Sequence, residues 1–481
     1  MTSIRKCQLL LIGAGPAGMA AATQAATLGV DTLLLDEQTA PGGQIYRAIT
    51  STPIQDRRIL GADYWHGATL VESFRQSGAR YEPGATVWAI EDMAASAEAE
   101  GYEVAYSVGG EAYMVHARHI LLATGAQERP FPIPGWTLPG VISAGAAQIL
   151  LKQAGIVPSD RTVLAGCGPL LYLIAWQYLN AGVKIEAILE TAPPGRMAKA
   201  LPHAWGFLRS PYLAKGLKLL RTVKAVVPII KNVTRIEAQG DQGTLARVHF
   251  ETAGENRTLD ANQLMLHQGV VPNINLSQAL GIAHRWDEAL ACWEPTVDEW
   301  GTTSTPHIGM AGDGAGIAGA LAAEHRGRIA ALQAAFMLGA IDSGARDRHA
   351  QTHRAALARA VQGRKFFDTL YMAPEAFRRP VGDTIVCRCE EVTAAQLRDT
   401  VKLGVTGPNQ MKSFLRCGMG PCQGRFCGLT VSEIIAEERG LSPEEVGYYR
   451  LRFPTKPLTL GELASLPQTE ASRKAVIRFK K

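Results

Sequence analysis

LLLIGAGPAGMAAATQAATLGVDTLLLDEQTAPGGQIYR, residues Leu9 to Arg47, is the stretch that decides the fold. Leu9-Leu10-Leu11-Ile12 is a short apolar run of the kind that forms a strand buried on both faces. It leads straight into Gly13-Ala14-Gly15-Pro16-Ala17-Gly18, a complete G-x-G-x-x-G. In such a turn Gly13 permits the tight bend, Gly15 lets a pyrophosphate approach the main chain, and Gly18 lets the helix pack on the strand. Ala20 to Leu28 is alanine-rich and predicts a helix whose N-terminal N–H groups point at phosphates. Gly29 ends it, Thr32 to Leu35 predicts the next strand, and Asp36 stands at that strand's tip. A carboxylate there accepts both hydroxyl hydrogens of a ribose, with Glu37 as the neighbouring alternative. Pro41-Gly42-Gly43-Gln44, followed by Arg47, adds a second glycine turn suited to close approach of a flat or phosphorylated ligand. A lone glycine fingerprint is weak evidence. Strand, glycines, helix, strand and acid in this order predict a dinucleotide site.

The same grammar returns downstream. Thr86 to Ile90, Tyr102 to Ser107 and Ala112 to Val115 read as strands, the last two joined at Gly109-Gly110. Ile120-Leu121-Leu122 then enters Ala123-Thr124-Gly125, a turn that would pass beside the nucleotide. Thr162 to Ala165 leads into Gly166-Cys167-Gly168-Pro169-Leu170-Leu171, a helix to Asn180, and Ala187-Ile188-Leu189 ending at Glu190. Val233 to Ala238, Ala246 to Glu251 and Leu264 to Leu266 echo the first half's strands, and His267-Gln268-Gly269 stands where Ala123-Thr124-Gly125 stood. Gly166 follows Gly13 by 153 positions and Gly269 follows Gly125 by 144, which predicts two copies of one nucleotide-binding unit. In the second copy Leu171 replaces the third glycine. Glu190 is a ribose candidate, but Leu171 argues against a tightly packed nucleotide, so NAD(P), another nucleotide and a purely structural unit all stay open there. Ile308 to Gly314 reads as a strand entering a turn in which Gly312 and Asp313 would meet ribityl or phosphate oxygens.

The chain's 481 residues correspond to about three domains. A net charge of +5 makes no case for nucleic acid. The basic stretch from Arg196 to Lys224, with Lys199, Arg209, Lys215, Lys218 and Arg221, reads as a solvated face or as a docking surface for a partner protein. Arg5 and Lys6 before an apolar run mimic a signal peptide, yet the fingerprint accounts for that run. No glycine-free run reaches the ~18 apolar residues of a membrane span, and none is expected.

Eight cysteines are present, and five of them, from Cys387 to Cys427, lie within 41 residues. That is the pattern of a metal site in a reducing, cytoplasmic setting rather than of a disulfide framework. Cys387-Arg388-Cys389 follows Thr384-Ile385-Val386, and 32 residues separate Cys389 from Cys422-Gln423-Gly424-Arg425-Phe426-Cys427. Leu429 to Glu438 then reads as a helix. Thiolates suit zinc or iron–sulfur centres, and C-x-C matches zinc knuckles poorly. Cys417 is a fifth thiol, and using it in place of Cys427 would shorten the central gap to 27 residues. Cys7, Cys167 and Cys292 are isolated and read as buried small hydrophobes. Arg346 to Pro380, with one helical piece near Ala350 to Arg364, reads as a linker. Ser442-Pro443-Glu444-Glu445 reads as the cap of a short helix, and the tail to Lys481 as a segment that wraps a partner or another domain.

Gly13 to Gly18, Asp36, Ala123-Thr124-Gly125 and Ala311-Gly312-Asp313 together resemble the two-dinucleotide-domain flavoprotein reductases, over about residues 5 to 345. The resemblance implies an α/β fold in which a discontinuous FAD-binding domain, residues 1–128 and 285–345, carries an inserted NAD(P)-binding-like domain, residues 129–284. It places FAD contacts at Gly13, Gly15, Pro16, Ala17, Gly18, Asp36, Glu37, Gly43, Gln44, Arg47, Ala123, Thr124, Gly125, Gly312 and Asp313. No redox cysteine pair stands beside Gly42-Gly43-Gln44 or in the second unit, so thioredoxin- or glutathione-type reduction is not expected. The cysteine spacing resembles the bacterioferritin-associated-ferredoxin-like [2Fe–2S] domain. This implies such a domain at 381–440, after a 346–380 linker and before a 441–481 tail, with Cys387, Cys389, Cys422 and Cys427 as cluster ligands.

A flavoprotein body followed by C-R-C-E-E-V and G-M-G-P-C-Q-G-R-F-C resembles the α, or A, subunits of multisubunit flavin dehydrogenases. That family takes in the A subunits of opine oxidases, the α subunits of hydroxyproline dehydrogenases and the B subunits of hydrogen cyanide synthases. The resemblance implies an electron-transfer subunit working with a flavin amine-oxidase-like β subunit that oxidises an amino or imino acid. It also implies a small ferredoxin-like subunit in some complexes, and an FMN at a subunit interface as the related sarcosine oxidase and proline dehydrogenase complexes suggest. No substrate base is visible in this chain. A self-contained NAD(P)H:acceptor reductase with an iron–sulfur relay and a nucleotide-binding scaffold subunit remain as alternatives.

Overall fold

Strand β1 (Arg5–Ile12) lies in the middle of a seven-stranded sheet, and Leu9, Leu10 and Leu11 are completely buried there. Each leucine so buried contributes about 1.5–3 kcal/mol relative to an exposed one. A computed structural model describes residues 4–93, 100–158, 160–210 and 212–467. β1 is parallel to β2 (Thr32–Asp36) on one side and to the strand Glu111–Leu122 on the other. Helix α1 (Pro16–Thr27) connects β1 to β2, with proline in its first turn, where no N–H is needed. The two separate strands expected at Ala112–Val115 and Ile120–Leu122 are one. Glu111–Ala117 pairs antiparallel with Tyr102–Val108, and Ile120–Leu122 pairs parallel with Ile308–Met310. The chain therefore returns to the first unit at residue 308, after the second unit is complete.

The second unit is a five-stranded parallel sheet in the order Ile229–Ile230, Ile185–Glu190, Thr162–Cys167, Gln263–Gln268, Val141–Ser143, with an antiparallel three-stranded sheet, 233–260, alongside. The two units are joined by a short antiparallel pair, Ala126–Glu128 with Val270–Pro272.

Residues 346–380 are not a spacer, and that expectation is corrected. They belong to helix Ser343–Ala360, which packs on Ala320–Met337, and to helices Arg364–Leu370 and Glu375–Arg378. Phe377 sits in the second unit's core, and buried Arg378 is ion-paired with buried Glu433 of the cysteine domain. The cysteine domain has its own apolar core around Val386, Leu397, Met411, Val431 and Ile434. Ser442 and Glu445 form the expected capping box of helix Pro443–Val446. The tail then folds back on the first sheet: Thr455 N–H donates to Trp88 O, and Ser465 Oγ accepts from Ala112 N–H. Its last part, 468–481, lies outside the described residues.

Candidate functional site

The two glycine turns of the first unit touch. Gly42 N–H donates to Ala14 O at 2.8 Å, and a side chain on Gly43 would come 2.8 Å from Gly15 Cα. A methyl on Gly13 would lie 2.5 Å from Ala123 O, and one on Gly18 would strike the Gly13 carbonyl. Gly15 differs: the nearest atom to a Cβ there is Gly43 Cα at 3.8 Å, so open space lies above it at the N-terminus of α1. Two buried polar atoms at this cradle lack protein partners, Asp36 Oδ2 and Arg47 Nε. An acid with a free oxygen at the tip of β2 and an unpaired guanidinium N–H beside it are the groups an adenosine ribose and a pyrophosphate need. Glu37 is held by Lys456 of the tail at 2.7 Å, whereas Asp36 keeps an oxygen free. Gln44 Oε1 accepts from Arg47 Nη2, and Lys152, buried on the second unit's helix Ala144–Ala154, donates to Gln44 O and Ile45 O. Burial pushes Lys152 down to about 7, with Arg47 adding to the effect.

Ala123-Thr124-Gly125 and Gly312-Asp313 face each other across the cradle. Gly314 lies against Thr124 Oγ1, Gly312 (φ +75) leaves no room for a side chain beside Ala17, and Asp313 Oδ1 accepts from Ala318 N–H and Gly319 N–H. The residues present fit FAD. Burial raises Asp36 to about 6, against the amides of Gln38 and Ala14 and the charge of Arg47. Ribose hydroxyls at Asp36 would donate to the ionised carboxylate, so FAD binding there would have to expel that proton below the raised value. FAD affinity of the apoprotein is expected to be flat above pH ~6 and to fall up to about tenfold per pH unit below it. Titration of Asp36→Asn should show no such slope; a slope that persists would assign the proton to another group.

The five clustered thiols sort into two groups. Cys387, Cys417 and Cys427 are buried, with their sulfurs all within 4.8 Å of one another. Exposed Cys389 lies against half-buried Cys422, whose amide and side chain both reach it. Amides of Gly418 and Glu390 point at Cys387. A [2Fe–2S] centre needs two thiolates per iron, so a pair at each end fits it, with one thiol in excess. The glycines of this loop are spaced for aromatic rings from the tail. Side chains on Gly418 and Gly424 would collide with Tyr449, and one on Gly428 with Tyr448. Tyr449 hydroxyl lies 3.7 Å from Cys427 Sγ. Sequence reasoning missed this tyrosine pair, which lies beyond an intervening helix and carries no local motif. It also missed Lys152 and the Tyr46–Glu324–His66 group, in which Glu324 accepts from Tyr46 hydroxyl and meets His66 Nε2 at 3.0 Å.

The cysteine loop is fastened to the flavin cradle. Asn273 N–H donates to Gly125 O, Asn275 Nδ2 to Gln423 O, and Gln127 Nε2 to Arg425 O, each within 3.0 Å. The second unit's mouth is occupied by the chain itself. Cys167 Sγ donates to Tyr371 O at 3.4 Å, and the hydroxyls of Tyr172 and Tyr371 are pushed up by burial and by the nearby Glu190 carboxylate. Leu171 is fully buried, as are Cys167 and Cys292, and Cys7 nearly so.

A two-unit flavoprotein body bearing a thiol-rich domain defines a class, and the comparisons agree. Residues 7–339 match the pyridine nucleotide-disulphide oxidoreductase family, and residues 382–466 match the sarcosine oxidase A3 domain. The A subunit of opine oxidase from Rhizobium meliloti is 48% identical over 97% of this chain and 89% of its own length. The HcnB subunit of hydrogen cyanide synthase from Pseudomonas aeruginosa is 34% identical over 95% of this chain and 98% of its own. L-proline dehydrogenase from P. horikoshii shares the fold, with a TM-score of 0.70 at 18% identity over 96% of this chain and 81% of that one. The chain belongs to the family of opine oxidase A subunits, flavin-dependent oxidoreductases within the pyridine nucleotide-disulphide oxidoreductases. No helix among the described residues is long and apolar enough to cross a membrane.

Proposed function

We propose that this chain is the FAD- and [2Fe–2S]-bearing electron-transfer subunit of a heteromeric amino- or imino-acid dehydrogenase of opine or hydroxyproline type. The substrate is oxidised in a flavin amine-oxidase-like partner. An interfacial FMN and a small ferredoxin-like subunit belong to the same proposed assembly, in the cytoplasm. The observation that carries this reading is the hydrogen bonding of the Cys422–Cys427 loop to Gln127 and Asn275, each two residues from the Gly125–Asn273 backbone contact of the cradle. When bound, FAD supplies two-electron chemistry and the cluster one-electron carriage. The chain's own residues bind and orient: Asp36 accepts from the ribose, the Gly13–Gly18 turn and Arg47 hold the pyrophosphate, and Asp313 meets the ribityl chain. Cys387, Cys389, Cys422 and Cys427 hold the cluster.

The Tyr371 backbone against Cys167, and the two hydroxyls at Glu190, stand where a second nucleotide's pyrophosphate and ribose would lie. This disfavours the self-contained NAD(P)H reductase. Anaerobic titration of the chain, with and without its partner, decides. Flavin bleaching by an opine or imino acid only in the presence of the partner, with no bleaching by NADH or NADPH, is expected. Stoichiometric bleaching of the isolated chain by NADH would replace this proposal with the reductase.

A further inference from the structure

Between Thr191 and Ile236 the chain carries nine Lys or Arg and not one Asp or Glu, although the whole chain's net charge is only +5. The rest of the chain is therefore net acidic. The segment begins with a run of short helical pieces, Arg196–Ala200, Leu201–His203 and Ala204–Leu208, and continues in helix Tyr212–Lys224. Its underside is well seated. Ala200 is buried, Phe207 stacks on Phe366 at 4.6 Å, Val223 is fully buried, and Leu219 and Leu220 pack on the main core.

The outer side is not covered. Met197, Leu201, Trp205 and Leu208 recur at intervals of four, four and three, and they are 54%, 61%, 64% and 54% exposed. Leu217 of the next helix is equally open, and the Arg209 guanidinium lies 4.3 Å over the Trp205 ring. Lys215 is paired with Asp63 and Arg235 with Glu237. Lys199, Arg209, Lys218, Arg221 and Lys224 have no ion-pair partner among the described residues. Single exposed apolar residues need no explanation, but four recurring along one short run do. Tryptophan and arginine ringed by charge are the usual anchors of a protein interface.

We infer that this face docks the partner subunit through a surface that offers an apolar pocket to Trp205 and a rim of Asp and Glu to the unpaired cations. The inference rests on the heteromer proposed above. Charge complementarity names the rim, because Arg209 lies over Trp205, the other unpaired cations belong to the same segment, and no acid of the segment offsets them. A lipid surface suits the geometry less well. Helix Tyr212–Lys224 turns Leu219, Leu220 and Val223 to this chain's own core and leaves only Leu217 of its large apolar side chains open, and the exposed stripe follows a run interrupted by a 3-10 turn at Leu201–His203. The face also reaches inward. Phe207 stacks on Phe366, and Phe367 and Tyr371 continue the ring contacts to the mouth of the second unit, where Tyr371 O accepts from Cys167 Sγ.

The test compares hydrogen exchange in the purified heteromer and in the isolated full chain, together with the affinity between subunits in variants. Protection over 197–221 in the heteromer is expected. Lys199→Glu with Arg209→Glu, and separately Trp205→Ser, should weaken association of the heteromer at least tenfold at low salt, with flavin and iron per chain unchanged. A heteromer of unchanged affinity that is protected elsewhere overturns the docking face and leaves the heteromer proposal standing. Failure of the wild-type chain to assemble with any second subunit sinks both. Binding to phosphatidylglycerol vesicles that the double variant loses, with heteromer assembly intact, makes the face a lipid surface and overturns the inference.

Discussion

Cys387→Ser is expected to strip iron from the protein, from about two atoms per chain to near none, while the flavin stays bound. Cys387 is fully buried, touches both Cys417 and Cys427, and receives the amides of Gly418 and Glu390. Its backbone is held in the hairpin Ile385–Cys387/Val392–Thr393. The flavin unit keeps its own core around Leu9, Leu11, Ala21 and Ala331, which contains no residue of the cysteine domain. Cys427→Ser should behave like Cys387→Ser, and Cys417→Ser should keep its iron. Proximity does not separate these two thiols, but the backbone does. Cys427 is the N-cap of helix Gly428–Arg439, where the helix dipole opposes the upward push that Cys387, Cys417 and burial exert on its thiol. Cys417 follows the left-handed C-cap residue Arg416 of helix Pro408–Leu415, at the end that disfavours negative charge. Iron and sulfide analysis, with the paramagnetic signal of the reduced protein, reads the outcome. Iron lost in Cys417→Ser and kept in Cys427→Ser would move the ligand set. Stoichiometric zinc after anaerobic purification would end the electron-transfer role.

The first unit was legible because its signals are local. Apolar run, glycine turn, alanine helix and acid occupy one continuous stretch, and the structure reproduces them with Asp36 at the end of β2. The repeat was legible for the same reason: strand Thr162–Cys167, helix Pro169–Asn180 and strand Ile185–Glu190 follow in the expected order. Segments whose structure comes from distant contacts were not legible. Residues 346–380 are charged and aperiodic because their faces pack on different parts of the protein: Ala320–Met337, the Phe207 cluster, the second unit's core and Glu433 of the cysteine domain. Helix Ala62–Gln76 shows no clean apolar period in its first half, since Trp65-His66-Gly67 breaks the pattern. Gly67 is there to admit the Tyr46 ring, which a side chain would meet at 2.4 Å. The tyrosine pair over the cysteine loop was hidden likewise: its partners are glycines, and a glycine does not show which ring it makes room for.

Gly15→Val should give a folded protein that no longer retains FAD. Substitutions at the three fingerprint glycines do not act alike, and this one isolates the ligand from the fold. Gly13 has φ +106 and sits against Ala123 O, so a side chain there strains the backbone and parts β1 from the strand Glu111–Leu122. Gly18 abuts the Gly13 carbonyl, so a side chain there drives α1 off the sheet. Gly15 has φ −74 and ψ −175, extended backbone open to any residue, and its Cβ would meet only Gly43 Cα at 3.8 Å. The valine methyls therefore fill the space above the N-terminus of α1, where the proposed site puts the pyrophosphate. Lost phosphate contacts of about 3 kcal/mol or more correspond to at least about a hundredfold loss of affinity. Thermal unfolding of wild-type apoprotein and of the variant should then coincide, while only the wild type is stabilised by added FAD. Flavin released from denatured wild type should run as FAD; if AMP, ATP or NAD alone is released, the cradle holds a different nucleotide. A variant that purifies yellow with full flavin would mean that the pyrophosphate does not lie over Gly15.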